Sequence, residues 1–181
     1  MKRKIYLAGG IIILGIGIVG CETSKEGSAS STRKPDATAT LNPTKDSNVK
    51  GTVSFTKLKD GVRIDGEVTG LTPGAHGFHI HEKGDCGSGD GMSTGGHFNP
   101  LAKPHGNPVV PDHHAGDMPM LVADASGNAA LIVELDVMTV GSGITDIVGR
   151  GLIVHKDPDD FTTQPTGNSG ARVACGVITR S

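Results

Sequence analysis

Short runs of alternating apolar and polar residues recur along the chain, at 53–58, 62–68, 78–80, 120–123, 129–135, 147–154 and 173–178. Successive side chains leave a strand on opposite sides, so a period of two predicts strands with one buried face. The separators carry turn chemistry: Lys59-Asp60-Gly61, Thr72-Pro73-Gly74 and Ser126-Gly127-Asn128. Short strands joined by such turns predict an all-β domain, an antiparallel sandwich or barrel. Residues 84–118 break the pattern, being rich in Gly, Pro, Asp and His. A loop that long inside a compact domain has to be tied down by something other than apolar burial.

The N-terminus follows a different rule. Lys2, Arg3 and Lys4 precede an apolar run at 5–20, which is 16 residues long and holds five glycines. A spanning helix needs about 20 apolar residues, so this run reads as a secretory signal, with an uncleaved anchor helix as the other reading. Ile18-Val19-Gly20-Cys21 resembles the bacterial lipobox, which makes Cys21 the expected lipid attachment point. The protein is then expected on the outer face of the bacterial cell membrane. Residues 22–48 are Ser, Thr, Lys and Pro with few bulky apolar side chains, too little to fold alone. The expected organisation is a signal at 1–20, lipidated Cys21 and flexible tether at 21–48, and one domain at 49–181. As a coil the tether would span roughly 30 Å.

Composition narrows the function. The chain has 181 residues, enough for one domain, and a formal net charge of −2. Removing residues 1–20 removes three cations, leaving 14 basic and 19 acidic side chains and a net charge of −5. No basic face is available for nucleic acid, and none is expected as a partner. The domain has neither Tyr nor Trp, and Phe55, Phe78, Phe98 and Phe161 are its only aromatic rings apart from histidine. A core of small aliphatics leans on cross-links or metals. Cys86 and Cys175 are an even pair in an exported chain, where a disulfide is the default and two free thiols the alternative. Bridged, they would close a loop of about 90 residues, worth roughly 4–5 kcal/mol of chain entropy.

All eight histidines fall between His76 and His155. In Gly77-Phe78-His79-Ile80-His81 the two imidazoles share one strand face, a chelating geometry. An isolated pair of this kind would read as two solvated polar residues. Here it is accompanied by His97, His105, His114 with Asp117, and His155, enough donors for two metals. Imidazole suits copper and zinc, and three imidazoles with one carboxylate make a tetrahedral zinc set.

GFHIHEKGDC, GGHFNP, HAGD, VHKDPDD and GNSGARVACGVI together resemble the copper/zinc superoxide dismutase family across essentially all of 49–181. The resemblance implies a Greek-key β-barrel of about eight strands with two long loops forming the metal site. It implies copper on His79, His81, His97 and His155, and zinc on His97, His105, His114 and Asp117, with His97 as the bridge. Asp159 matches a carboxylate that links His79 to His105. Arg172 matches an arginine beside the copper, where a fixed cationic fork attracts a small anion. The implied reaction is dismutation of superoxide to oxygen and hydrogen peroxide by copper redox cycling, with His97 carrying a proton and zinc structural. His76 is expected to be a hydrogen-bonding structural residue, His113 an exposed neighbour of His114, and Met92, Met118 and Met120 mostly packing. The 157–171 loop lacks the lysine with which animal-type relatives guide substrate, so Arg172 is the one guiding cation expected. Family members differ in oligomeric state; a homodimer stands among the expected partners, with no apolar self-complementary face in the sequence to mark it. The alternative function is a membrane-tethered copper- and zinc-binding protein without turnover, which needs neither Arg172 nor a shared His97.

Overall fold

The computed structural model describes residues 33–181. The expected signal at 1–20, Cys21 and the first part of the expected tether lie outside the described residues.

Among the described residues, ten strands and one short 3-10 turn, Met92–Thr94, make up the regular structure. The strands are β1 (Ala37–Pro43), β2 (Lys50–Leu58), β3 (Gly61–Thr69), β4 (Gly74–His76), β5 (Phe78–His81), β6 (Leu121–Ala123), β7 (Ala129–Leu135), β8 (Gly151–His155), β9 (Arg172–Val177) and β10 (Thr179–Arg180). All the strand pairings are antiparallel. The main sheet runs β5-β8-β9-β1-β2-β3-β7, β10 pairs with β1, and β4 and β6 form a separate ribbon. The sheet curls around one core, giving the expected Greek-key barrel.

The element nearest the centre of that order was not expected. Residues 37–43 fall within the expected tether, yet β1 pairs with β2 through Ala37–Leu41 and with β9 at Asn42 and Pro43. Ala37, Ala39 and Leu41 are buried while Thr38 and Thr40 face outward. The alternation is genuine, but its inward residues are mostly alanines, small enough to pass for linker composition. The domain therefore begins before residue 49, within the span expected as tether.

A second correction concerns 147–154, where only Gly151–His155 is strand. Ile147 is fully buried, but its segment turns, with Arg150 N–H donating to the Ile147 carbonyl at 3.1 Å. Apolarity there reported burial without reporting extension.

The core is aliphatic, with Phe55 and Phe78 the largest of its fully buried side chains. On β5 all four residues are buried. Phe78 and Ile80 join the core, and His79 and His81 face away from it into the long loop. Backbone bonds pin that loop to the free edge of β5: Ile80 N–H donates to Gly116 O (2.9 Å), Phe98 N–H to Ile80 O (2.8 Å) and Glu82 N–H to Gly96 O (3.0 Å). Gly116 is required here, since a Cβ would lie 2.2 Å from the Ile80 carbonyl. The Cys86–Cys175 disulfide, with Cα atoms 5.9 Å apart, ties the start of the same loop to β9.

Candidate metal centre

Strand register assembles one group of imidazoles. β5 contributes His79 and His81, β8 contributes His155, and His97 bridges to His81 across the free edge of β5. A register shift between Val154 and His155 sets His155 opposite Arg172 of β9. One donor atom from each of His79, His81, His97 and His155 lies within 4.8 Å of the others. A second set with the same spacing is His97, His105, His114 and Asp117, and His97 belongs to both.

Hydrogen bonds decide which nitrogen of each ring is left over. His79 Nε2 donates to Asp159 Oδ2 at 2.5 Å, His81 Nδ1 to Gly95 O at 3.0 Å, and His155 Nδ1 to Gly170 O at 3.3 Å. Their remaining nitrogens, His79 Nδ1, His81 Nε2 and His155 Nε2, are buried without a partner, as is His97 Nε2. A buried polar atom left unpaired costs about 1–3 kcal/mol. Four such lone pairs in one cluster fit a cation of the kind imidazole binds, copper included.

In the second set Asp117 Oδ1 lies 2.8 Å from His97 Nδ1, 3.0 Å from His105 Nδ1 and 3.4 Å from His114 Nδ1. Asp117 Oδ2 accepts from the main-chain N–H groups of Gly106 (3.1 Å) and His114 (2.9 Å), so the carboxylate is fixed and Oδ1 faces the rings. Three imidazoles and one carboxylate, all buried, fit zinc.

Electrostatics agree with that division. Burial pushes His81 and His155 well below the usual histidine range, and neighbouring imidazoles and Arg172 push the same way. Burial also pulls His97 down to about 4, against the opposing pull of Asp117. These rings present lone pairs at neutral pH. Burial would also lower His105, but Asp117 and Asp159 outweigh it and raise it to about 9. Asp117 and Asp159 resist burial and stay far below the usual carboxylate range because imidazoles donate to them.

Asp159 spans the two sets. Its Oδ2 accepts from His79 Nε2, while Oδ1 accepts from His105 Nε2 at 2.9 Å and from Phe161 N–H at 2.7 Å. Gly167, at φ 68°, packs so closely that a Cβ would lie 1.9 Å from Asp159 Oδ1. Arg172 is half-buried, with Nη1 donating to Gly91 O and Thr94 Oγ1 and Nη2 to Gly95 O, each at 2.7 Å. Three acceptors hold the guanidinium on the turn whose last carbonyl also orients His81.

The structure brings together every residue singled out for a metal role. His76 is hydrogen-bonded as expected, its ring facing the carbonyls of Thr72 (2.8 Å) and His155 (3.0 Å). His113 is corrected: it is buried, and Nδ1 donates to the His114 carbonyl at 2.7 Å, stiffening the chain beside a donor. Met118 is buried as packing, whereas Met92 is 60% exposed, because its turn points Thr94 inward instead. Sequence reading missed Gln164, which bonds the main chain of His105, and Thr94; neither carries a pattern that marks it.

A family model described as copper/zinc superoxide dismutase matches residues 49–178. Among curated relatives, Cu-Zn superoxide dismutase 2 of Mesembryanthemum crystallinum is 48% identical over 138 residues, covering 72% of this chain and 87% of that one. The extracellular Cu-Zn superoxide dismutase of Brugia pahangi is 43% identical over 141 residues, covering 72% and 69%. Cu-Zn superoxide dismutase 3 of Arabidopsis thaliana is 42% identical over 140 residues, covering 74% and 84%. A crystal structure of the clock protein EA4 superposes with a TM-score of 0.74 at 39% identity, covering 82% of this chain and 97% of that one. With two adjoining donor sets suited to copper and zinc on a Greek-key barrel, the chain belongs to the copper/zinc superoxide dismutase family, enzymes that take superoxide as substrate.

Proposed function

We propose that the chain dismutes superoxide at the cluster of His79, His81, His97 and His155, with zinc on His97, His105, His114 and Asp117. The observation that carries the reading is His97, which belongs to both donor sets, its Nδ1 against Asp117 Oδ1 and its Nε2 buried without a partner. Copper supplies one-electron redox chemistry when bound, and zinc supplies charge without it. Arg172 attracts and orients the anion, its fork fixed by Gly91, Thr94 and Gly95. His97 Nε2 is the atom that holds and passes on a proton, since Nδ1 faces Asp117. Asp159 keeps the rings of His79 and His105 turned so that each Nδ1 faces its set. Loss of His97 removes both the proton carrier and the link between the sets.

The test is superoxide turnover by residues 22–181 reconstituted with copper and zinc, beside His97→Ala and a metal-free control. Copper-dependent turnover far above both controls is the expected result. Stoichiometric metal uptake without turnover would leave a metal-binding protein in its place.

We further propose that Cys21 carries lipid and holds the domain at the outer face of the bacterial cell membrane. Support comes from Lys2-Arg3-Lys4, the apolar run at 5–20 and Ile18-Val19-Gly20-Cys21. With β1 starting at Ala37, 15 residues, 22–36, separate the proposed anchor from the barrel. Detergent partitioning of the native protein, lost in Cys21→Ser, is the expected signature; equal partitioning of the two would refute it.

A further inference from the structure

Gln164 lies between β8 and β9, and its carboxamide grips one peptide segment from both sides. His105 N–H donates to Gln164 Oε1 at 2.8 Å, and Gln164 Nε2 donates to the His105 carbonyl at 2.8 Å. A carboxamide places a donor and an acceptor side by side, which is what a neighbouring strand would offer. His105 needs this, because it sits in no strand and its main chain has no ladder to hold it. Its ring is already committed at both ends, Nδ1 facing Asp117 Oδ1 at 3.0 Å and Nε2 donating to Asp159 Oδ1 at 2.9 Å.

The same loop therefore fixes His105 twice, by Asp159 at the ring and by Gln164 at the backbone. The loop is itself closed by Gly167 N–H donating to the Thr163 carbonyl at 2.7 Å. We propose that Gln164 is a positioning residue for the zinc set, setting the distance of His105 Nδ1 from its fellow donors. The inference rests on the assignment of zinc to that set. It separates this residue from mere loop packing, because the two bonds have opposite polarity. Glutamate has nearly the same shape but offers only acceptors when ionised, and one of its oxygens would face the His105 carbonyl.

The experiment is chelator competition for zinc and, separately, for copper on the otherwise native protein. The variants are Gln164→Glu and Gln164→Ala, with His114→Ala as a control. We expect zinc affinity to fall about 10- to 100-fold in both Gln164 variants, the range for residues that orient ligands. Copper affinity, whose other ligands do not touch Gln164, should stay within about threefold. Amide exchange at His105 should quicken in Gln164→Ala. Zinc affinity of Gln164→Glu equal to wild type would reduce the residue to packing and overturn the proposal, as would parallel loss of copper and zinc. If His114→Ala also keeps full zinc affinity, the zinc assignment itself has failed, and the proposal with it.

Discussion

An acceptor shared by two imidazoles decides which of their nitrogens is left for a metal, and Asp159 is that acceptor for His79 and His105. In Asp159→Asn one oxygen becomes an NH2 group, so at least one ring meets a donor where it had an acceptor and must turn or change tautomer. We expect metal affinity to fall about 10- to 100-fold, measured by chelator competition, with the barrel intact by circular dichroism. A pH prediction belongs at the same scale. In the metal-free protein His105 is raised to about 9, so it carries a proton at pH 7 that zinc must displace. Zinc affinity should therefore climb about tenfold per pH unit from 7 towards 9 and level off above, whereas an unshifted histidine would level off near 6.5. Because the folded value is raised, the same proton stabilises the metal-free fold fully below about 6.5. That contribution is lost as pH rises through about 9. Proton release on zinc uptake, titrated in two buffers of different ionisation enthalpy, gives an independent count; none released at pH 7.5 would contradict the shift.

Among elements, the 84–118 loop depends most on attachments that are not strands. Its start is bridged to β9 by Cys86–Cys175, and its 91–95 turn supplies all three acceptors of Arg172, three residues before Cys175. Replacing both cysteines by serine should cost roughly 4–5 kcal/mol in the metal-free domain, as expected for a closed loop of about 90 residues, read from the urea midpoint. An unchanged midpoint would mean that the backbone bonds to β5 hold the loop unaided. His97 in GGHFNP and His114 in HAGD were legible because they sit in motifs, and the strands because apolar residues recur at every second position, whereas His113 was not. β1 was not, since an inward face of Ala37, Ala39 and Leu41 lacks the bulk by which strands are recognised. Gln164 was silent for another reason: a glutamine in a loop announces nothing until the peptide it grips is brought across 59 residues of sequence. Length of apolar run also misled at 147–150, where Ile147 is buried within a turn.

Across the whole molecule, the barrel's core and its metal site share β5, with Phe78 and Ile80 on one face and His79 and His81 on the other. Sequence foretold the all-β class and the donor sets, but not which strands would be neighbours, because pairing order depends on contacts between segments far apart in the chain and not on any single segment. Folding leaves the chain with five buried imidazole nitrogens lacking partners, at His79, His81, His97, His114 and His155. In the unfolded chain the same nitrogens are hydrated, so folding without metal carries a desolvation cost that folding with metal does not. Binding a cation to the folded state alone adds about 4 kcal/mol when free metal exceeds its Kd about 1,000-fold. For a domain of this size that corresponds to a rise in melting temperature of roughly 10–15 °C. Calorimetry of the metal-free, zinc-only, copper-only and copper-plus-zinc forms should show a larger copper increment with zinc bound than without, because His97 serves both sets and the first cation fixes it for the second. A copper increment that is the same with and without zinc would show that the two sets bind independently despite the ring they share.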